Sequence, residues 1–195
     1  TNALLEGHFI LSSGLHSKHY IQCARLLSHP RKAKIFCSSL CEKIEKEFNK
    51  IDIILSPAIG GIVAGYEVGR QMNLETIFAE RSDGQMKLRR GFKIPNKSNV
   101  LIVEDVITTG KSVLECYDLI KEGKSKLVGY SCIIDRTGNQ LSIKEKIISQ
   151  IKLNIKTYKS NELPEDLKKI KPIKPGSRDS YKWRKENLAS TLIML

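Results

Sequence analysis

The sequence predicts an α/β fold built on a parallel central sheet with helices on both faces. Three observations lead there. Short apolar runs alternate with longer stretches of helical period. The runs are apolar on both faces, as strands covered from both sides must be. Three segments of unusual loop composition, 56–61, 104–112 and 135–139, each follow such a run directly, and ligands of parallel sheets bind at the carboxyl ends of strands.

The elements follow in order. Residues 31–48 read as an amphipathic helix with Ile35, Leu40, Ile44 and Phe48 among its apolar positions. Ile51-Asp52-Ile53-Ile54-Leu55 reads as a short buried strand entering the small-residue loop Ser56-Pro57-Ala58-Ile59-Gly60-Gly61. A helix from Ile62 to Met72 and a strand over Thr76–Glu80 come next. Residues 82–91 hold two glycines and three basic residues and read as a mobile excursion. Asn99–Val103 is the clearest buried strand; the loop Glu104–Gly110 leads it into a helix over Ser112–Glu122. Leu127–Ile134 is the next strand, ending at Asp135-Arg136-Thr137-Gly138-Asn139, and Lys152–Tyr158 is a weaker one. From Glu162 the chain is rich in Pro and Lys and reads as a surface wrap or tail.

Composition excludes several classes. The chain has 195 residues, 41% hydrophobic and 28% charged, the balance of a globular protein. No stretch approaches the ~20 apolar residues of a transmembrane helix, and the first residues, opening at Thr1, carry no basic-then-apolar signal pattern. Cys23, Cys37, Cys41, Cys116 and Cys132 form an odd set without a CxxC pair, which argues against a disulfide framework or zinc site and for a reducing cytoplasm. Cys37 and Cys41 read as small core residues rather than a redox pair. The net charge of +12 asks for an anionic partner: nucleic acid, a membrane surface or a phosphorylated small molecule. Its lysine runs are interleaved with acids and apolar residues, as solvated faces are.

The sharpest signal is Val100-Leu101-Ile102-Val103-Glu104-Asp105-Val106-Ile107-Thr108-Thr109-Gly110-Lys111-Ser112. A buried strand delivers two adjacent carboxylates to its exposed end, and a Thr- and Gly-rich turn then opens a helix. Helix N-terminal N–H groups with Thr and Ser hydroxyls make an anion cradle, and Gly110 permits a tight approach. The acids would repel that anion; they suit sugar hydroxyls or a magnesium ion held with them. An ordinary strand–turn–helix junction would explain the Thr and Gly but not the paired acids. Acids followed by an anion cradle match a ribose 5-phosphate.

This segment resembles the signature of the type I phosphoribosyltransferases, whose fold the chain would share. The resemblance implies that Glu104 and Asp105 bind ribose hydroxyls and that residues 106–112 (Val106, Ile107, Thr108, Thr109, Gly110, Lys111 and Ser112) wrap the 5-phosphate of phosphoribosyl diphosphate. Three further stretches are similar to the orotate phosphoribosyltransferase family. They are Gly7–Tyr20, its hood segment; Ser56–Gly61, its diphosphate-binding loop; and Phe78-Ala79-Glu80-Arg81 with Leu88-Arg89-Arg90-Gly91-Phe92, its strand and flexible loop. The implied organisation is a hood over 1–30, an α/β core over 31–160 with flexible loop 82–91, and a wrap or tail over 161–195.

Orotate needs a cation for its carboxylate. Arg136 suits it, since a guanidinium grips a carboxylate with two parallel hydrogen bonds, although Asp135-Arg136 alone also reads as a surface turn with a local ion pair. The resemblance points to Arg136, with Thr108 as a second orotate contact. It assigns Lys87, Arg89 and Arg90 as mobile cations closing over the diphosphate, where a solvated hairpin turn is the plainer reading, and it adds Arg81 and Gly60 as diphosphate contacts. It further implies Mg²⁺ held through the substrate, at Glu104 or Asp105, with no direct protein-held metal, and a homodimer sharing the flexible loop. Related branches carry lysines where this chain has Ser12 and Gly60. The rival readings are a purine-base enzyme, which would not need Arg136, and a nucleic-acid-binding regulator, for which the sequence shows no binding signature.

Overall fold

The computed structural model describes residues 3–11, 13–138 and 143–175. Ser12, Asn139 and the stretch 176–195 of the expected tail lie outside them. The chain divides into two compact units, Thr1–Gln22 with Ile155–Leu195, and Cys23–Asn154.

The larger unit holds a six-stranded sheet. Its strands are β3 (Ile53–Pro57), β4 (Glu75–Ser82), β5 (Gln85–Leu88), β6 (Asn99–Ile107), β7 (Lys126–Asp135) and β8 (Ile147–Lys152), in the order β5-β4-β3-β6-β7-β8. All neighbours run parallel except the β4–β5 pair. The order reverses between β3 and β6, so the crevice beyond their carboxyl ends is the topological switch point where such sheets take ligands. Its helices are α1 (Cys23–Leu27), α2 (Pro30–Glu47), α3 (Gly60–Met72) and α4 (Lys111–Glu122).

Burial explains why these segments are strands. Every residue of β3 is buried, and so are residues 100–104 of β6 and 129–135 of β7, the two-sided cover expected of parallel strands. One face packs Ile53, Leu55, Val100 and Ile102 against Val113, Cys116 and Ile120 of α4. On α2 the buried stripe is Ala33, Cys37, Leu40, Cys41 and Ile44, a 3.6-residue period that leaves Ile35 outside it, 69% exposed. Cys37 and Cys41 are thus core positions, and burial pushes their thiols up to about 12 and about 11. All five cysteines are free and buried. Among the described residues no helix is long and apolar enough to cross a membrane.

The structure departs from the sequence reading in three places. The excursion expected over 82–91 contains β5, paired back on β4 through Ser82↔Gln85. Asp83 and Gly84 between them both lie in the left-handed region, φ 55° and 78°, a two-residue turn whose twist suits a hairpin. Glu104 and Asp105 lie within β6, which runs on to Ile107, not in a loop after it. The strand expected over Lys152–Tyr158 is replaced by β8, five residues earlier, and by the short β9 (Thr157–Tyr158).

In the smaller unit β1 (Leu4–Ile10), β2 (His16–Ile21) and β9 form an antiparallel sheet, order β1-β2-β9. Ile10 N–H donates to Ile173 O and Ile173 N–H to His8 O, so residues around Ile173 extend this sheet beyond the short helix α5 (Glu165–Lys168). His8 and His16 are buried and share a 2.7 Å hydrogen bond. His8 Nδ1 donates to Ile170 O at 2.8 Å, which leaves His8 Nε2 to accept from His16. Burial first, and His8 second, hold His16 below the usual imidazole range.

Candidate active site

The site forms where β6 ends. Glu104, buried, and Asp105, half-buried, are adjacent carboxylates on the last part of the strand. Their hydrogen bonds are local: Asp105 N–H donates to Glu104 Oε1 at 3.0 Å and Val106 N–H to Asp105 Oδ1 at 2.8 Å. No cation pairs with either acid among the described residues. Burial first, and the neighbouring Asp105 charge second, push Glu104 up to about 9, so it carries a proton at neutral pH.

Room for the acids comes from α3. A β-carbon at Gly60 would sit 2.7 Å from Asp105 Oδ1, and one at Gly61 2.8 Å from Glu104 Oε1. Both distances are below any real contact, so a side chain at either position would displace a carboxylate. This is why a glycine pair opens the helix: the start of α3 must lie against the end of β6.

Beyond the acids the chain turns through Thr108, Thr109 and Gly110 into α4. Glu104 and residues 106–113 line an open hollow. Thr108 and Thr109 are exposed there, and the first N–H groups of α4 have no intrahelical acceptors. The hollow therefore presents N–H and hydroxyl donors together with the Glu104 carboxyl, with Asp105 next to it on the strand, the two halves that a phosphorylated sugar needs.

The remaining sequence-predicted residues divide into two groups. Arg136 comes to the site: its backbone N–H donates to Ile107 O at 2.8 Å, and Ile107 pairs with Asp135 across β6 and β7. Arg136 and Thr108 therefore leave neighbouring strand ends side by side. Asp135 is held in its own turn, accepting from Thr137 N–H at 2.9 Å and Thr137 Oγ1 at 2.7 Å. Lys87, Arg89 and Arg90 gather on the hairpin. Lys87 lies opposite Glu80 in the β4–β5 register and pairs with Asp83 at 3.5 Å, while both arginines pair with Glu80.

Arg81 does not join them. Alternation along β4 turns it to the other face, where it forms a two-pronged ion pair with Glu115 of α4 and donates to Gly84 O at 3.2 Å. Its guanidinium ties the hairpin to α4, apart from the other cations expected at the diphosphate. Sequence reading missed Glu80 and Glu115, whose only signal was a strand period placing Glu80 with Phe78 and Arg81 with Ala79.

Comparison with known proteins agrees with this geometry. Residues 24–168 match the phosphoribosyl transferase domain family. The chain is 47% identical over 178 residues to an orotate phosphoribosyltransferase of Caldicellulosiruptor saccharolyticus, covering 91% of this chain and 92% of that protein. It is 46% identical over 177 residues to one of Methylorubrum extorquens, covering 90% of each. Among solved structures, orotate phosphoribosyltransferase from Aeropyrum pernix aligns with a TM-score of 0.67 at 22% identity, over 77% of this chain and 88% of that one. An adenine phosphoribosyltransferase from Thermoanaerobacter pseudethanolicus aligns at 0.61 and 14% identity, over 69% and 88%. The structural likeness speaks for the fold, which enzymes of different bases share; the sequence identity separates them.

The buried acid pair makes stability depend on pH. Folded Glu104 keeps its proton up to about 9, whereas its ordinary value is 4.5, so the group costs increasing stability as pH rises through that window. Glu104→Gln, neutral at every pH, is expected to stabilise the protein at pH 8 by on the order of 2 kcal/mol and by much less at pH 5. Thermal unfolding in chelator-containing buffer at the two pH values checks this; an equal effect at both would refute a protonated Glu104.

Proposed function

The chain belongs to the phosphoribosyl transferase family and, within it, to the orotate phosphoribosyltransferases, and we propose that its site transfers ribose 5-phosphate from phosphoribosyl diphosphate to orotate. The products are orotidine 5-monophosphate and diphosphate. The observation that carries this reading is the meeting, at the ends of β6 and β7, of an acid pair, a helix-start anion cradle and Arg136.

Each residue has a chemical part. The start of α4, with Thr108, Thr109 and Ser112, takes the 5-phosphate. Glu104 and Asp105 accept from the ribose hydroxyls and so fix the sugar ring. Arg136 grips the orotate carboxylate and Thr108 a ring oxygen, which aims N1 at C1 of the ribose. The C1–N1 bond forms as the C1–O bond to diphosphate breaks, and the deprotonated N1 supplies the electron pair. No protein nucleophile is needed; positioning and charge dominate. A magnesium ion carried by the substrate would fit the Asp105 carboxylate, and Glu104 once it gives up its proton, and it would add positive charge where the diphosphate leaves. Lys87, Arg89 and Arg90 supply further cations from the hairpin. Five buried free thiols suit a reducing cytoplasm.

A homodimer suits the surface of α3. Ile59, Val63 and Tyr66 are 85%, 48% and 63% exposed and recur at helical spacing, so they form one apolar stripe. A second copy fits it, because a symmetric contact is self-complementary and the stripe starts beside the site. Ala58 N–H donates to Ala79 O at 2.7 Å, which sets Ile59 next to the strand end that leads into the basic hairpin. A partner docked here is close enough to share that hairpin.

Four measurements test this reading. With phosphoribosyl diphosphate and Mg²⁺, orotate absorbance is expected to fall, and adenine is expected not to be consumed. Arg136→Ala should lose on the order of a hundredfold in kcat/KM for orotate; adenine turnover instead would overturn the choice of base. Gly60→Ala should lower kcat/KM for phosphoribosyl diphosphate by on the order of tenfold to a hundredfold with little change in Tm, since it displaces Asp105. Tyr66→Glu should convert a dimer, measured by light scattering, into a monomer; a wild-type monomer would exclude the shared hairpin.

A further inference from the structure

The turn after β5 holds its arginines in a particular way. Arg90 and Gly91 both occupy the left-handed region, φ 56° and 77°, and Phe92 N–H closes the turn on Arg89 O at 3.0 Å. Left-handed backbone is unfavourable for a residue with a side chain, so something must hold Arg90 there. Its guanidinium reaches back to Glu80 with two bonds, Nε to Oε1 at 3.1 Å and Nη2 to Oε2 at 3.2 Å. It also lies over the Phe78 ring, 5.8 Å from the centroid, and Phe78 in turn packs edge-on against Phe92 at 5.0 Å. Arg89 shares the same carboxylate at 3.6 Å. Glu80 itself is only 18% exposed, whereas Arg89 and Arg90 are more than half exposed.

One carboxylate thus pairs with both arginines and offsets one of their two charges, and the geometry is that of a clamp: fork on carboxylate, ring beneath. Glu80 also sits one residue past Ala79, whose carbonyl binds the 56–61 loop. The clamp therefore stands at the rim of the site.

We propose that Glu80 is a positioning residue, the counter-ion that holds Arg89 and Arg90 in this turn until a diphosphate group competes for them. The inference rests on the reading of the turn as diphosphate-binding. A diphosphate offers the same planar-fork chemistry with more charge, so it replaces Glu80 as the acceptor. The carboxylate then acts in two opposed ways: it orders the turn beforehand and it raises the cost of recruiting the turn to the ligand. Because the pair is largely exposed, the competition is modest rather than prohibitive.

The test is calorimetric titration with inorganic pyrophosphate and Mg²⁺ on wild type, Glu80→Gln, Glu80→Ala, Arg90→Ala and the Glu80→Gln/Arg90→Ala double variant. Arg90→Ala is expected to weaken pyrophosphate binding. Both Glu80 variants are expected to tighten it, by about threefold to fivefold, and the gain should shrink when Arg90 is already gone. A merely structural Glu80 would do the reverse, lowering Tm and weakening the ligand. Unchanged or weaker binding in the Glu80 variants, with Arg90→Ala still harmful, overturns the clamp and leaves the site reading intact. Normal binding in Arg90→Ala overturns the diphosphate role of the turn and the clamp with it.

Discussion

The protein is organised around a repulsion. Two carboxylates stand next to each other at the end of β6, one of them buried. Like charges this close cannot both ionise in a poorly solvated place, and the fold resolves the conflict by leaving Glu104 protonated and giving each acid a backbone N–H. That arrangement requires space, and the space requires that α3 begin with Gly60-Gly61. It also requires that β6 remain a strand past its apolar part, since pairing with β7 through Val106↔Ile134 and Ile107↔Asp135 is what holds the acids rigid.

The positive charge of the chain is arranged with the same economy. A net charge of +12 suggests a basic funnel, yet the hairpin cations nearest the site are all matched: Lys87 with Asp83, Arg89 and Arg90 with Glu80, and Arg81 with Glu115. Excess charge lies instead on exposed lysines such as Lys169 and Lys171. Long-range attraction of a phosphorylated substrate is therefore a property of the whole surface, while the local cations are committed to carboxylates that a ligand must outbid.

The sequence disclosed the part of the site that is contiguous. Glu104 to Ser112 could be read because one strand, one turn and one helix start carry both halves of the ligand chemistry, and Arg136 because it follows a strand that could be recognised. The hairpin was misjudged although Asp83-Gly84 and Arg90-Gly91 were legible turn signals: polarity and charge drew the reading toward a loop, when β-pairing of Gln85–Leu88 with β4 satisfies the backbone. Arg81 was chosen because it ends a strand, and the pairing with Glu115 that depends on its face could not be seen from that. The stripe of Ile59, Val63 and Tyr66 could not be told from a core face by period alone, and Glu80 and Glu115 gain meaning only from pairings across the fold.

The absence of a lysine at position 60 follows from the same geometry. Related branches place one there to meet the diphosphate, but in this chain the place where its β-carbon would stand is filled by the Asp105 carboxylate. A lysine would have to push that acid away from the ribose it is argued to bind. The β4–β5 hairpin carries three basic residues, Lys87, Arg89 and Arg90, within four positions, and β4 meets the 56–61 loop through the Ser56↔Phe78 and Pro57↔Ala79 pairs and the Ala58–Ala79 hydrogen bond. Exposed arginines at a left-handed turn need an anchor. Glu80 and Phe78 meet that need from the strand beneath. Gly60 thus makes room for one carboxylate, Asp105, and the hairpin arginines are held by another, Glu80, so that acids placed by the strands decide what stands at both positions.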